Sequence, residues 1–244
     1  MYFKLGKYIA VAFIFIYSFS MAQTDTEQKS IVVKQIVLEE EADLETVSRL
    51  LEAETEINNI SLLNWDAYSY LPKVQFRIAR NENDIWLKFY VSEENVLAQF
   101  SEPNSSTHRD SCVEFFIDPL QDGNYYNFEF NCIGTTHLVY GPGRGKRTFI
   151  EKDIIKQHIK VRSSLGNIPF EEKGGGHDWE MTVVIPEEVW THSKDFELKG
   201  LKSKANFYKC GDDTSKPHYV SWNAIDTERP DFHRPEFFGS LIFE

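Results

Sequence analysis

Glu114 and Glu129 carry the strongest chemical signal in this sequence of 244 residues. In the stretch 113–118, Val113, Phe115 and Ile117 alternate with their neighbours, so as a strand they share one face and Glu114 takes the other. In the stretch 125–132, Phe128 and Phe130 share an apolar face, while Asn127, Glu129 and Asn131 share a polar one. The short connection 119–124 predicts an antiparallel hairpin with both glutamates on its polar face, nearly opposite each other. Like charges facing across a ladder destabilise it unless something compensates. A sugar does so when its hydroxyls donate to the carboxylates and aromatic rings cover its apolar face. An acid/base pair for hydrolysis of O-glycosyl bonds needs two carboxyls about 5–10 Å apart. An arginine such as Arg109 or Arg147 pairing with each glutamate would be purely structural. Spacing alone leaves all three open.

The surrounding elements read as an all-β domain. Val74, Phe76 and Ile78 alternate with polar residues, the cluster 81–84 is a turn, and 85–91 is the next strand. Further strands are expected at 31–38, 137–140, 155–162, 179–185, 205–209, 219–222 and 240–243. Many short strands at regular intervals predict an antiparallel sandwich or barrel. Before them, the acidic block 39–56 spaces Leu44, Val47, Leu50 and Leu51 as a short amphipathic helix with a solvated charged face. The glycines at 174–176 read as a hinge before a strand.

The first residues predict export. Lys4 and Lys7, the apolar run 8–19 and the small residues of Ser20-Met21-Ala22 have the order of a secretory signal, with cleavage near Ala22. The run is too short to span a bilayer, which needs about 20 apolar residues. The expected organisation is a signal peptide at 1–22, a strand and acidic helix at 23–59, and one β-domain at 60–244. The mature protein is expected to be periplasmic or secreted, with no membrane span after cleavage.

Several chemistries lack support. The net charge of −12 disfavours nucleic acid as a partner. The loop 141–147 looks like a phosphate loop but misses its spacing, and Pro142 removes a backbone donor, so it is a turn carrying three basic side chains. Neither a serine elbow nor an H-E-x-x-H pair occurs. Cys112, Cys132 and Cys210 lack zinc spacing and read as small buried hydrophobes. Met181 alternates with apolar residues and is expected to be buried rather than to hold haem.

Asp110-Ser111-Cys112-Val113-Glu114-Phe115-Phe116-Ile117-Asp118 resembles a strand of the family 9 carbohydrate-binding modules. Ala205-Asn206-Phe207-Tyr208, Val220-Ser221-Trp222 and the closing Pro235-Glu236-Phe237-Phe238-Gly239-Ser240-Leu241 extend the match in order. Phe232-His233-Arg234 and the residues after it look most like a bacterial family-9-like branch. The resemblance implies a DOMON-like antiparallel β-sandwich that binds an oligo- or polysaccharide in polysaccharide utilisation, with no catalysis of its own. The other implied possibility is a glycoside hydrolase or a hydrolase accessory protein built on Glu114 and Glu129. By motif position the family's hydroxyl-binding Glu is Glu114. Its two clamping tryptophans fall near His108 and Phe232, its Arg near Glu129 and its Gln near Tyr208. The expected ligand-binding set is therefore Glu114, Phe232, His108, Glu129, Tyr208 and Trp222. The family's structural calcium is not expected, because the loop 101–107 offers one carboxylate to an ion that takes six to eight oxygens. No cofactor is expected.

Overall fold

Alternating apolar and polar side chains pair into strands along much of the chain, as seen in a computed structural model describing residues 28–38, 43–193 and 197–244. The signal at 1–22 and its cleavage point lie outside the described residues. The chain runs through β1 (Ser30–Gln35), α1 (Leu44–Glu54), β2 (Asn58–Ile60), β3 (Leu62–Leu63), β4 (Lys73–Arg80) and β5 (Ile85–Ala98). Then follow β6 (Cys112–Asp118), β7 (Tyr125–Asn131), β8 (Thr136–Gly141), β9 (Thr148–Phe149), α2 (Lys152–His158) and β10 (Lys160–Ser163). The last strands are β11 (Phe170–Ile185), β12 (Lys202–Cys210), β13 (Tyr219–Ser221) and β14 (Gly239–Phe243).

Two sheets face each other. One runs β10-β11-β5-β4-β1 and the other β1-β14-β12-β6-β7-β8-β9, so β1 belongs to both. It is parallel to each neighbour, Ser30–Val33 against β14 and Lys34–Gln35 against β4. The sandwich is therefore mixed rather than wholly antiparallel. β1 lies between β4 and β14 and so joins the two sheets.

The alternation at 74–78 buries Val74, Phe76 and Ile78 in the main core between the sheets. There Phe76 stacks on Phe207 at 3.8 Å and Phe207 on Phe115 at 4.8 Å between ring centroids. The turn at 81–84 forms because Asn81 Oδ1 accepts from the Asn83 and Asp84 amides at 3.0 and 2.7 Å. Asp118 likewise accepts from the amides of Asp122 and Gly123, which closes the hairpin between β6 and β7.

α1 starts where the Asp43 side chain accepts from the Thr46 amide at 2.7 Å. Val47 and Leu51 then pack on Ile36, Ala79, Trp86 and Val184. Its acidic face is more than solvated: Glu45, Glu52 and Glu54 pair with Arg162, Lys88 and Lys34.

Two local expectations are corrected. The expected strand 155–162 begins as α2, because Ile155 and Ile159 are four apart and a helical turn buries both. The glycines at 174–176 are no hinge ahead of a strand but a bulge inside β11, where the register to β5 shifts between Gly174 and His177. Gly175 and Gly176 have φ of +108° and +86°, open to glycine but strained for other residues.

Candidate functional site

The outer face of the second sheet carries the site. β6 and β12 turn Cys112, Phe116, Tyr208 and Cys210 away from the main core into a second cluster with Tyr125, Trp65, Ile225, Phe232 and Phe238. Residues 222–238 lie across this cluster because β12 hydrogen-bonds their backbone. Asn206 exchanges bonds with Asn223 at 2.9 and 3.2 Å, and the Tyr208 hydroxyl donates to the Phe232 carbonyl at 3.1 Å.

Beside this cover opens a cleft of about 250 Å³. The hairpin puts Glu114 directly opposite Glu129 at its floor, with Cys210 alongside. His108, Arg144, Arg147, Asp212, Phe232 and His233 stand among its walls. The volume lies just below the range typical of pockets for drug-sized ligands and suits a single sugar unit.

The two glutamates differ in protonation. Burial, then the charge of Glu129, pushes the Glu114 carboxyl well above the usual carboxylate range; its Oε1 accepts from the Cys210 thiol at 3.0 Å. Burial also works against charge on Glu129, yet His137, His108 and the Asn127 amide hold its carboxyl below that range. Thr107 Oγ1 donates to Glu129 at 2.9 Å, Asn127 Nδ2 at 3.0 Å, and His108 Nδ1 lies 3.7 Å away. Charge repulsion across the ladder is thus relieved by one proton and two histidines, and among the described residues no arginine forms an ion pair with either carboxyl. Arg109 pairs with Asp213 and Arg147 contacts His233, so neither compensates a glutamate as the structural reading supposed.

The protonated form of Glu114 makes stability depend on pH. A group whose folded pKa lies above its unfolded value contributes stability that is fully present below the unfolded value and is lost as pH rises towards the folded one. Glu114→Gln keeps the shape and removes the titration. The variant is expected to gain on the parent as pH rises from 4.5, by at most about 1.4 kcal/mol per pH unit. Urea unfolding at pH 4.5 and 7.5 checks this; a constant difference between the two proteins at both values refutes it.

Four of the six expected residues meet at the cleft: His108, Glu114, Glu129 and Phe232. Phe232 is only 7% exposed, its ring stacked on Tyr208 at 4.1 Å, so it braces the wall more than it offers a free face. Tyr208 is fully buried behind it and Trp222 sits in the main core against Phe76 and Phe207, so neither ring reaches the cleft. Sequence reasoning missed Arg144, Arg147, Asp212 and His233. The loop at 141–147 carried a signal for the first two in its basic residues.

Cys112, Cys132 and Cys210 are free and buried, and Met181 lies in the main core. The ligand atoms of Cys112, Glu114 and Cys210 lie within 4.8 Å of one another. Burial pushes the Cys112 thiol up to about 12 and that of Cys210 well above its usual value, which keeps both as protonated thiols. Calcium does not fit the loop at 101–107: Glu102, its one carboxylate, is exposed and pairs with Lys156 at 3.4 Å. No helix among the described residues is long and apolar enough to cross a membrane.

Residues 45–243 match the family described as carbohydrate-binding family 9. No curated protein matches the chain. A solved structure of a Bacteroides uniformis protein, provisionally described as carbohydrate-binding, is 39% identical, with a TM-score of 0.86 over 89% of this chain and all of that one. A family 9 carbohydrate-binding module from Caldicellulosiruptor kristjanssonii in complex with glucose shares the fold at 16% identity. Its TM-score is 0.55, over 88% of this chain and 96% of that one. The cellotriose complex of a family 9 module from the same organism gives 13% and 0.53, over 88% and 94%.

Proposed function

The chain belongs to carbohydrate-binding family 9, and from that premise we propose that it binds a saccharide in this cleft without chemically altering it. The observation that carries the proposal is the facing pair at the floor. Glu114 in its acid form offers an O–H, Glu129 offers carboxylate lone pairs, and a sugar hydroxyl both donates and accepts. The complexes of the family 9 modules with glucose and cellotriose support a saccharide as the class of ligand. A glycan-array screen followed by calorimetry tests it: saturable binding to one saccharide class is expected, and no binding to any glycan overturns it.

Hydrolysis of O-glycosyl bonds is the second reading, favoured by the unequal protonation that an acid/base pair requires. Binding is preferred because the oxygens already take bonds from Thr107, Asn127 and Cys210. Release of reducing sugar from a bound polysaccharide, abolished by Glu114→Gln and by Glu129→Gln, would decide for hydrolysis.

The setting proposed is the periplasm or the exterior, in polysaccharide utilisation. It rests on the leader-like order of Lys4, Lys7, the apolar run and Ala22. Intact-mass analysis of protein exported from a bacterial host is expected to give a chain starting near Gln23; an uncleaved chain in the membrane fraction would contradict it.

A further inference from the structure

Most of the charges around the cleft are matched. Arg144 pairs with Asp231 at 3.0 Å, and His108 faces Glu129 at 3.7 Å. Glu114 offers no countercharge in its acid form. Asp212 is also held back from ionising, first by burial and with Asp213 and Glu129 opposing its charge.

Arg147 is the exception. It is half-buried in the cleft wall, and among the described residues no carboxylate lies within 4.0 Å of its guanidinium. Its partner is a neutral ring: Arg147 Nη1 lies 3.4 Å from His233 Nε2. Burial, then Arg147 and Arg144, lowers the His233 pKa to about 3, so its Nε2 accepts. His233 Nδ1–H is then left to donate to the Tyr125 oxygen at 2.8 Å. This chain fixes the guanidinium in place while engaging one of its five N–H donors. An arginine so held, with its charge unanswered on the edge of a ligand cleft, is suited to receive a planar oxyanion in two parallel hydrogen bonds.

Resting on the saccharide reading above, we infer that the ligand is an acidic saccharide whose oxyanion is received by Arg147. The shared chemistry is an anionic group on the sugar, either a carboxylate, as in a uronic acid, or a sulfate ester. A neutral sugar leaves the cation of Arg147 as it is; an acidic one pairs it inside a partly desolvated cleft.

Calorimetry of the mature protein at pH 7 with glucuronic acid, its methyl ester, glucose and glucose 6-sulfate tests the inference. One charged sugar is expected to bind at least about tenfold more tightly than the ester and glucose. Preference for glucuronic acid identifies the carboxylate, and preference for glucose 6-sulfate the sulfate. Arg147→Gln is expected to bring the charged and neutral sugars to equal affinity. The inference is overturned if neutral sugars bind as tightly as both charged ones, or if Arg147→Gln keeps the preference. Failure of all four sugars to bind counts against the saccharide reading itself and takes the inference with it.

Discussion

Replacing Lys209 by methionine is expected to remove about 3–5 kcal/mol of folding stability, the largest loss predicted for any single side chain outside the apolar core. Lys209 on β12 and Glu93 on β5 are both fully buried, one from each sheet, and their charged groups meet at 2.8 Å. Around them the Trp179 indole donates to Glu93 at 2.7 Å, and the Lys209 ammonium also donates to the Cys210 carbonyl and to His218 Nε2, each at 2.8 Å. Burial and the neighbouring lysine hold His218 neutral, so its Nδ1–H donates to the Lys216 carbonyl. Without the ammonium, the Glu93 carboxylate is stranded away from water. For a domain of this size the melting temperature should fall by about 10 °C. Lys209→Met combined with Glu93→Leu should recover most of the loss, because replacing both partners removes the stranded charge. Urea unfolding of the parent, the single and the double variant tests this. A single variant within 1 kcal/mol of the parent would show that the pair does not couple the sheets.

Glu129→Gln is expected to weaken saccharide binding about tenfold to a hundredfold and to leave the fold intact. A charge-assisted bond from a hydroxyl to a carboxylate contributes about 1.5–3 kcal/mol, and each 1.4 kcal/mol is a factor of ten. Glu129 is the floor carboxyl that keeps its charge, and among the described residues two donors, from Thr107 and Asn127, reach its oxygens within 3.0 Å. Glutamine preserves the volume, so circular dichroism should still report the native fold, while the melting temperature falls because Thr107 and Asn127 lose a charged acceptor. Calorimetry against the tightest array hit measures the loss. A folded variant that binds as the parent does would move the site away from this floor.

The hairpin and its glutamate pair were legible in the sequence because two strands, a short turn and side-chain alternation fix a register without help from elsewhere. Phe232 and His108 came from the family resemblance, and both do line the cleft. What the sequence hid depends on long-range contacts. Tyr208 came from its motif position in the family and Trp222 as a ring able to stack on a sugar, yet both are buried, because alternation cannot tell which of the two aromatic clusters a residue joins. The loop with Arg144 and Arg147 has no periodicity, and only the segment laid across β12 brings His233 to it. The unequal protonation of Glu114 and Glu129 follows from burial and from His108 and His137, which lie in other segments of the chain.

The position of β1 governs the order in which the molecule can assemble. β1 joins the two sheets, and its partner β14 is the last strand; Gln35 and Glu244, bonded near their ends, are 209 residues apart in sequence. The buried Arg80 guanidinium closes the same corner by donating to the Glu244 carbonyl. A growing chain therefore carries β1 unpaired on one side until residues 239–243 appear, while local hairpins such as β4–β5 and β6–β7 can already form. Closing so long a loop costs entropy before any contact repays it, which places the joining of the sheets late and makes it slow. Until then the edges of β1 and β12 that β14 covers stand open to other strands, and the nascent chain is most exposed to aggregation in that interval.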